Sequence, residues 1–244
     1  MFARTFIFLY GIASYAAFLV AILYAIGFVG NLWVPKSVDT GSAGSVAEAM
    51  IVDALLLGIF AIQHSVMARP AFKRWWTRVI PHESERSTFV LVSSLLLLLL
   101  YWKWQPMAAP IWHVEGEAGR IALMGVFWLG WGIVFLSTFL INHFNLFGLQ
   151  QVFAALRKRD LPDPEFRTPL LYKLVRHPLM FGLLLAFWST PDMSAGHLLF
   201  AVMTTGYILV ALQFEERDLI RLFGMAYQEY RRRVPMLVPF LPKR

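Results

Sequence analysis

Long apolar stretches separated by short polar loops set the pattern of this 244-residue chain. Residues 5–29 carry no charge and are long enough to cross a bilayer, which takes about 20 residues of helix. A second stretch, 46–67, holds Asp53, Gln63 and His64, so its helix does not face lipid all round. The third, 87–104, contains the run Leu95–Leu100, and the fourth, 121–141, is rich in Gly and Trp. Two further stretches, 178–190 and 197–214, are shorter. Thirteen residues of helix reach only about 20 Å, less than the hydrocarbon core. With Pro191 and Asp192 between them, these two read as a bent helical hairpin that does not fully cross. The pattern predicts an all-α, polytopic membrane helical bundle with about five transmembrane helices and a C-terminal helical hairpin. The first stretch is too long for the apolar core of a signal peptide and has no small-residue cleavage site after it, so it reads as a mature helix. Trp33, Trp75, Trp76, Trp102, Trp104 and Trp112 fall at segment ends, as an interfacial aromatic belt requires.

Composition narrows the class. The chain is 58% hydrophobic and only 15% charged, against roughly a quarter charged in a soluble domain. That excludes disorder and fibrous repeats and sets the chain apart from ordinary soluble enzymes. It has no cysteine, so it has no disulfide framework, thiolate metal site or cysteine nucleophile. No His-Glu-x-x-His occurs either, and no metal is expected. The net charge of +7 is read as a topology signal rather than a sign of nucleic-acid binding. Of the 22 Lys and Arg residues, only Lys36, Lys103 and Arg120 fall on one side of the predicted spans. The other 19 include Arg69–Arg86, Arg157–Arg176 and the tail from Arg217 to Lys243 and Arg244. The positive-inside rule places the N-terminus, both basic loops and the tail in the cytoplasm. The expected setting is a bacterial inner membrane, with any chemistry open to the cytoplasm. Residues 1–244 form one membrane domain, in which 1–141 is a four-span scaffold with the acceptor site and 142–244 is a cytoplasm-facing region carrying the hairpin.

Polar residues concentrate on either side of the hairpin. The first cluster runs from Tyr172 through Arg176, His177, Pro178, Leu179, Met180 and Phe181 to Gly182. Proline suits a first helical turn, where its missing N–H is not needed. Arg176 and His177 therefore precede a helix N-terminus, whose N–H groups and dipole, with a guanidinium, suit a carboxylate or phosphate. A topology-setting arginine and a plain helix cap account for the same residues. The second cluster is Phe214-Glu215-Glu216-Arg217-Asp218, followed by Phe223-Gly224, Tyr227, Tyr230 and Arg231. Adjacent helical residues point about 100° apart, so Glu215 and Glu216 are not expected to face one site together. Either Glu can instead pair with Arg217 or Arg231 on a solvated helix. The segment from Val234 to Pro239 reads as extended chain able to fold back over the site.

Together the clusters resemble the superfamily of isoprenylcysteine carboxyl methyltransferases and phospholipid methyltransferases. The resembling pattern is Arg176-His177-Pro178-x-x-x-Gly182, an apolar hairpin, Glu215-Glu216 and then Phe223-Gly224-x-x-Tyr227-x-x-Tyr230. Met180 stands where that family has Tyr. Gln63–Arg69 and Glu85–Thr88 resemble the NnrU-related branch, and Asn142-His143-Phe144-Asn145-Leu146-Phe147-Gly148-Leu149-Gln150-Gln151 resembles its methanethiol S-methyltransferases.

The resemblance implies methyl transfer from S-adenosylmethionine to the sulfur of methanethiol, with the hairpin forming the cofactor site. It implies Arg176 and the helix start at Pro178 for the carboxylate, with Tyr172, His177, Gly182 and Arg231 also in the cofactor site. It implies Glu215 or Glu216 for the ribose, Leu171, Met180, Phe181 and Phe223 around adenine, and Tyr227 and Tyr230 toward the sulfonium. Gln150 and Gln151 would gate the cofactor or bond its adenine. Because the thiolate is the nucleophile, His64, His143, Asp53 and Asn142 are the candidates for acceptor-side catalysis. Each of the histidines also fits a hydrogen-bonded structural role, and Asp53 a bond to a neighbouring helix. The partners implied are a small thiol and the lipid bilayer, with no nucleic acid and no metal. Rival readings are methylation of a lipophilic amine or carboxylate, a haem or quinone protein using His64, His143 and His177, and a non-catalytic transporter-like protein.

Overall fold

The computed structural model describes residues 2–42, 44–163 and 165–239. Lys243 and Arg244, counted above with the basic tail, lie outside the described residues. The apolar stretches fold as helices α1 (Phe2–Gly30), α2 (Val46–Ala68), α4 (Glu85–Lys103), α5 (Glu117–Ile141) and α9 (Ala195–Phe223). These five are long and apolar enough to cross a membrane, and the chain is an integral membrane protein. Short helices fill the polar loops, α3 (Pro70–Trp76), α6 (His143–Leu146), α7 (Leu149–Arg157) and α10 (Met225–Arg233), and the short apolar stretch folds as α8 (Pro178–Trp188). Local signals set their ends. The Ser45 hydroxyl accepts from the Glu48 amide to cap α2, and Ser194 caps α9 through the His197 amide. Two short strands, β1 (Pro110–His113) and β2 (Asp192–Ser194), pair antiparallel.

The described residues fall into two compact units, one from 2–108 and 142–163, the other from 109–141 and 165–239. In the first, α1 packs on α4 and α7, and α2 on α4. Tyr24 stacks on Tyr101 at 5.3 Å, and Phe28 meets Trp104 edge-on at 5.7 Å. Trp104 does not join the interfacial belt expected of it. It is fully buried, and its indole N–H donates to the Val38 carbonyl at 3.0 Å. Trp33, Trp75 and Trp102 are exposed, as such a belt requires. Gly148 has φ +87° and lies so close to α4 that a Cβ there would meet the Ser87 amide nitrogen and hydroxyl, both at 2.9 Å.

In the second unit α8 packs on α5 and α9. The α5–α8 crossing depends on two glycines, because a Cβ on Gly182 would come within 2.6 Å of the Gly130 carbonyl oxygen. Beside it, the rings of Trp131, Phe187 and Phe200 pack edge to face. His197 is fully buried and bonds the Phe187 carbonyl at 2.9 Å, tying α9 to α8. Asp192 in the hairpin turn accepts two hydrogen bonds from Arg120 and one contact from His113. Those two hydrogen bonds hold its carboxyl below the ordinary aspartate range.

The hairpin departs from the expected 197–214 arm. Its first helix has 11 residues and spans about 16 Å, too short to cross. Its second has 29 residues, about 43 Å, and runs without a break through Glu215 and Glu216. Hydropathy stops at the first charge, whereas the helix stops only where Gly224 takes φ +57°. Substituting the tight glycines is expected to cost about 1–3 kcal/mol each through overpacking. Gly182→Ala and Gly148→Ala should each lower the thermal unfolding midpoint in detergent by several degrees. Gly132→Ala, where a Cβ meets nothing within 4 Å, should leave it unchanged.

Candidate active site

Glu216 is the centre of the polar cluster in the second unit. It sits on α9, and its side chain is 7% exposed while that of its neighbour Glu215 is 48% exposed. Arg176 Nη1 approaches one Glu216 oxygen at 2.5 Å, and Arg231 Nε approaches the other at 3.1 Å. His177 Nε2 lies 3.3 Å from the first oxygen, and the Tyr227 hydroxyl donates to it at 3.4 Å. His177 also faces Glu215 through Nδ1 at 3.7 Å. One imidazole thus touches both carboxylates, although only Glu216 points into the cluster. Arg217, the other partner expected for these carboxylates, lies over the Phe214 ring instead.

Three chain segments meet at this carboxylate, and the tail holds them in place. The Arg176 amide donates to the Pro235 carbonyl at 2.9 Å, and the His177 amide donates to Met236 at 3.1 Å. The segment after α10 therefore does fold back over the cluster. Its bonds occupy the Arg176 and His177 amides, just before the α8 start. Leu237 anchors it among Ile208, Leu212, Met180 and Leu183. Met180 thus packs into an apolar cluster with α9 and the tail. Gly182 is at the α5 crossing, Pro178 opens α8, and Leu171 lies in a single 3-10 turn, Leu170–Lys173.

Electrostatics in the cluster are unbalanced. Two guanidiniums contact the one buried carboxylate of Glu216. The Arg176 Nη1 and Arg231 Nε contacts are charge pairs not aligned as hydrogen bonds, and Arg176 Nε is buried with no hydrogen-bond acceptor. Burial pushes the phenols of Tyr172, Tyr227 and Tyr230 well above the ordinary tyrosine range, and the negative field of Glu215 adds to this for Tyr172 and Tyr227. These tyrosines act as neutral hydrogen-bond donors. The Tyr230 hydroxyl donates to the Tyr172 carbonyl at 2.5 Å.

The remaining sequence-derived candidates belong to the first unit, where each has a partner. His143 Nε2 and the Tyr15 hydroxyl are 2.7 Å apart, with Phe18 and Phe147 packed around the imidazole. Burial lowers the His143 pKa below the ordinary histidine value, favouring the neutral ring. Asn142, at φ 139°, caps α6 through the Asn145 amide and donates to Gln150 Oε1 at 2.9 Å. Gln151 Nε2 donates to the Asn145 carbonyl at 3.1 Å. His64 Nδ1 lies 3.1 Å from the Ser93 hydroxyl. Asp53 is fully buried and accepts the Gln105 amide at 2.9 Å. It stands eleven positions before His64 on α2, about 16 Å along the axis, so the two do not share a site. Sequence reasoning missed Tyr15, Ser93 and Gln105, because a single polar group in or beside an apolar run gives no signal of its partner. Among the described residues no three His, Asp or Glu side chains gather as a metal site.

No family model matches the chain, and no solved structure matches it. Named relatives do. The chain is 64% identical to "Methanethiol S-methyltransferase 2" of Bradyrhizobium diazoefficiens, over 99% of this chain and 93% of that protein. It is 58% identical to the "Methanethiol S-methyltransferase" of Mycobacterium tuberculosis, over 95% of each. A more distant relative, "Nurim" of Danio rerio, is 31% identical over 72% of this chain and 66% of its own length. Identity this high along almost the entire sequence means that the chain belongs to the methanethiol S-methyltransferases.

Proposed function

We propose that the protein transfers a methyl group from S-adenosylmethionine to the sulfur of methanethiol, giving dimethyl sulfide and S-adenosylhomocysteine, at a site open to the cytoplasm in a bacterial inner membrane. The observation that carries the donor assignment is the cation excess around Glu216. Two guanidiniums, Arg176 buried and Arg231 partly exposed, face one buried carboxylate, and Arg176 Nε is buried with no acceptor. Buried donors without partners are costly, and a guanidinium is shaped to take a carboxylate through two parallel bonds. The amino-acid end of S-adenosylmethionine carries such a carboxylate, so the residues present fit the donor. When bound, it supplies a methyl group on a positively charged sulfur whose leaving group is a neutral thioether.

The chain's own residues divide the work. Arg176 and Arg231 hold the carboxylate. Glu216 keeps the two guanidiniums together, since both of its oxygens already face cations. Half-exposed Glu215 is the free acceptor for the ribose hydroxyls, with His177 setting its orientation. The turn at Tyr172, the α8 start at Pro178 and the tail strap exclude water from the charged end. On the acceptor side, the thiol must reach its thiolate form. His143 has the protonation state a base needs, and Tyr15 fixes its ring. Asn142, Gln150 and Gln151 brace the turn that carries His143.

Purified protein given methyl-labelled S-adenosylmethionine and methanethiol should release labelled dimethyl sulfide, and Arg176→Ala and Glu216→Ala should each lower the rate at least 100-fold. Label appearing only in membrane lipid would reject the thiol assignment. The pH profile of kcat/KM tests His143 separately. The wild type should lose activity as acid protonates the imidazole, below the ordinary histidine value of about 6.5. His143→Gln should lose that acid limb and at least tenfold in rate, whereas an unchanged profile would remove His143 from the mechanism.

A further inference from the structure

Helix α10 has two working faces. Tyr227 and Arg231, four positions apart, turn toward Glu216. Ala226, Glu229, Tyr230 and Arg233 turn the other way and line a cleft of about 270 Å³. The opposite wall comes from Phe166 and Thr168 in the loop before the 3-10 turn and from Lys173 at the end of that turn. Phe166 is held edge-on by Tyr230 at 5.4 Å and Tyr227 at 5.9 Å, and it leans on Phe223 at 5.3 Å. The cleft thus has an aromatic wall, the Phe166–Tyr230 pair, and a polar edge with the Glu229 carboxylate, the Thr168 hydroxyl and two cations. Glu229 and Arg233 at that edge are 3.6 Å apart and both well exposed.

The cleft adjoins the charged cluster directly. Tyr227 and Tyr230 are ring neighbours at 5.8 Å; the first donates to Glu216 and the second to the Tyr172 carbonyl. Glu215 raises the phenols of both Tyr172 and Tyr227, so its carboxylate is electrically close to both. The cleft therefore meets the cluster around Glu216 through the Tyr227–Tyr230 contact.

We infer that this cleft holds the adenine ring of the methyl donor, lying against the wall formed by the Phe166–Tyr230 pair, with Glu229 reading the exocyclic amine. This rests on the S-adenosylmethionine reading above and moves adenine away from the Met180–Phe181 side, where Met180 packs with Leu237 and α9 instead. A flat heteroaromatic ring gains from stacking on aromatic side chains whatever its identity. A carboxylate at its edge accepts from an amine and repels a carbonyl, so it discriminates adenine from hypoxanthine. Lys173 and Thr168 supply donors for the ring nitrogens.

The test is binding, read by calorimetry on the full-length protein in detergent. The ligands are S-adenosylhomocysteine and its inosyl analogue, which carries a carbonyl in place of the amine. The wild type should bind the adenosyl compound at least tenfold more tightly. Glu229→Gln, on an exposed helix surface, should bring the two Kd values together, because an amide both donates and accepts. Phe166→Ala should weaken both by about tenfold. Thr168→Val should weaken the adenosyl compound without disturbing the fold. Equal affinity of the wild type for both ligands, or unchanged Kd values in Glu229→Gln and Thr168→Val, would place adenine elsewhere while leaving the donor assignment intact. A wild type that binds neither ligand would overturn the donor assignment itself.

Discussion

Glu216 sits buried between two guanidiniums, and much of the second unit is arranged so that this is possible. Moving the Glu216 carboxylate and the Arg176 guanidinium out of water costs several kcal/mol per ion, and only close, multiple contacts offset it. Here the contacts come from three places: Arg176 before α8, Arg231 on α10, and His177 with Tyr227 around the same oxygen. Removing one partner from a buried ion cluster costs about 3–5 kcal/mol, so the carboxylate also acts as a structural joint. Its surplus of one positive charge is tolerable if an anion completes it. On the proposed function the same cluster is both a joint and the receptor of the donor's carboxylate, and the two roles cannot be separated by substituting Glu216 alone.

The rest of the unit explains how a charged joint comes to stand beside an apolar bundle. At about 43 Å, α9 exceeds a hydrocarbon core of about 30 Å, so one helix serves as a span and also carries Glu216. Helix α8 need not cross, because its task is to pack against α5 at the Gly130–Gly182 crossing and start its first turn at Pro178. The tail then closes the arrangement. Two backbone hydrogen bonds and the Leu237 anchor hold the Arg176–His177 turn from outside the helix. Rigid positioning of this kind is what methyl transfer requires, since the donor's chemistry is already activated and alignment supplies much of the rate.

The spans were legible because each is an uninterrupted apolar run, and the short polar loops between them fix few alternatives. The extent of α9 was not, since hydropathy treats Glu215 as an end while the backbone continues to Gly224. Arg176, His177 and the two glutamates were legible as a spaced motif. Which glutamate turns inward was not, because that depends on the rotation of α9 against α10. Arg231 could be read only as one of two possible partners. Trp104 misled for a physical reason: a tryptophan at a span end has the same sequence signature whether its N–H meets water or, as here, the Val38 carbonyl. Tyr15 and Ser93, the partners of His143 and His64, sit in apolar helices, where only the packing of neighbours shows what a lone hydroxyl binds.

The central claim is that the Arg176–Glu216–Arg231 cluster is one anion short and that the donor's carboxylate completes it. The most direct measurement compares the affinity of the wild-type protein for S-adenosylhomocysteine and for its decarboxylated analogue, which keeps the nucleoside, the sulfur and the amine. Loss of one side of a buried charge pair costs about 2–5 kcal/mol, or roughly 30-fold and more in Kd. The account predicts a difference of that size in the wild type and its collapse in Arg176→Ala. Equal binding of the two compounds by the wild type would contradict it.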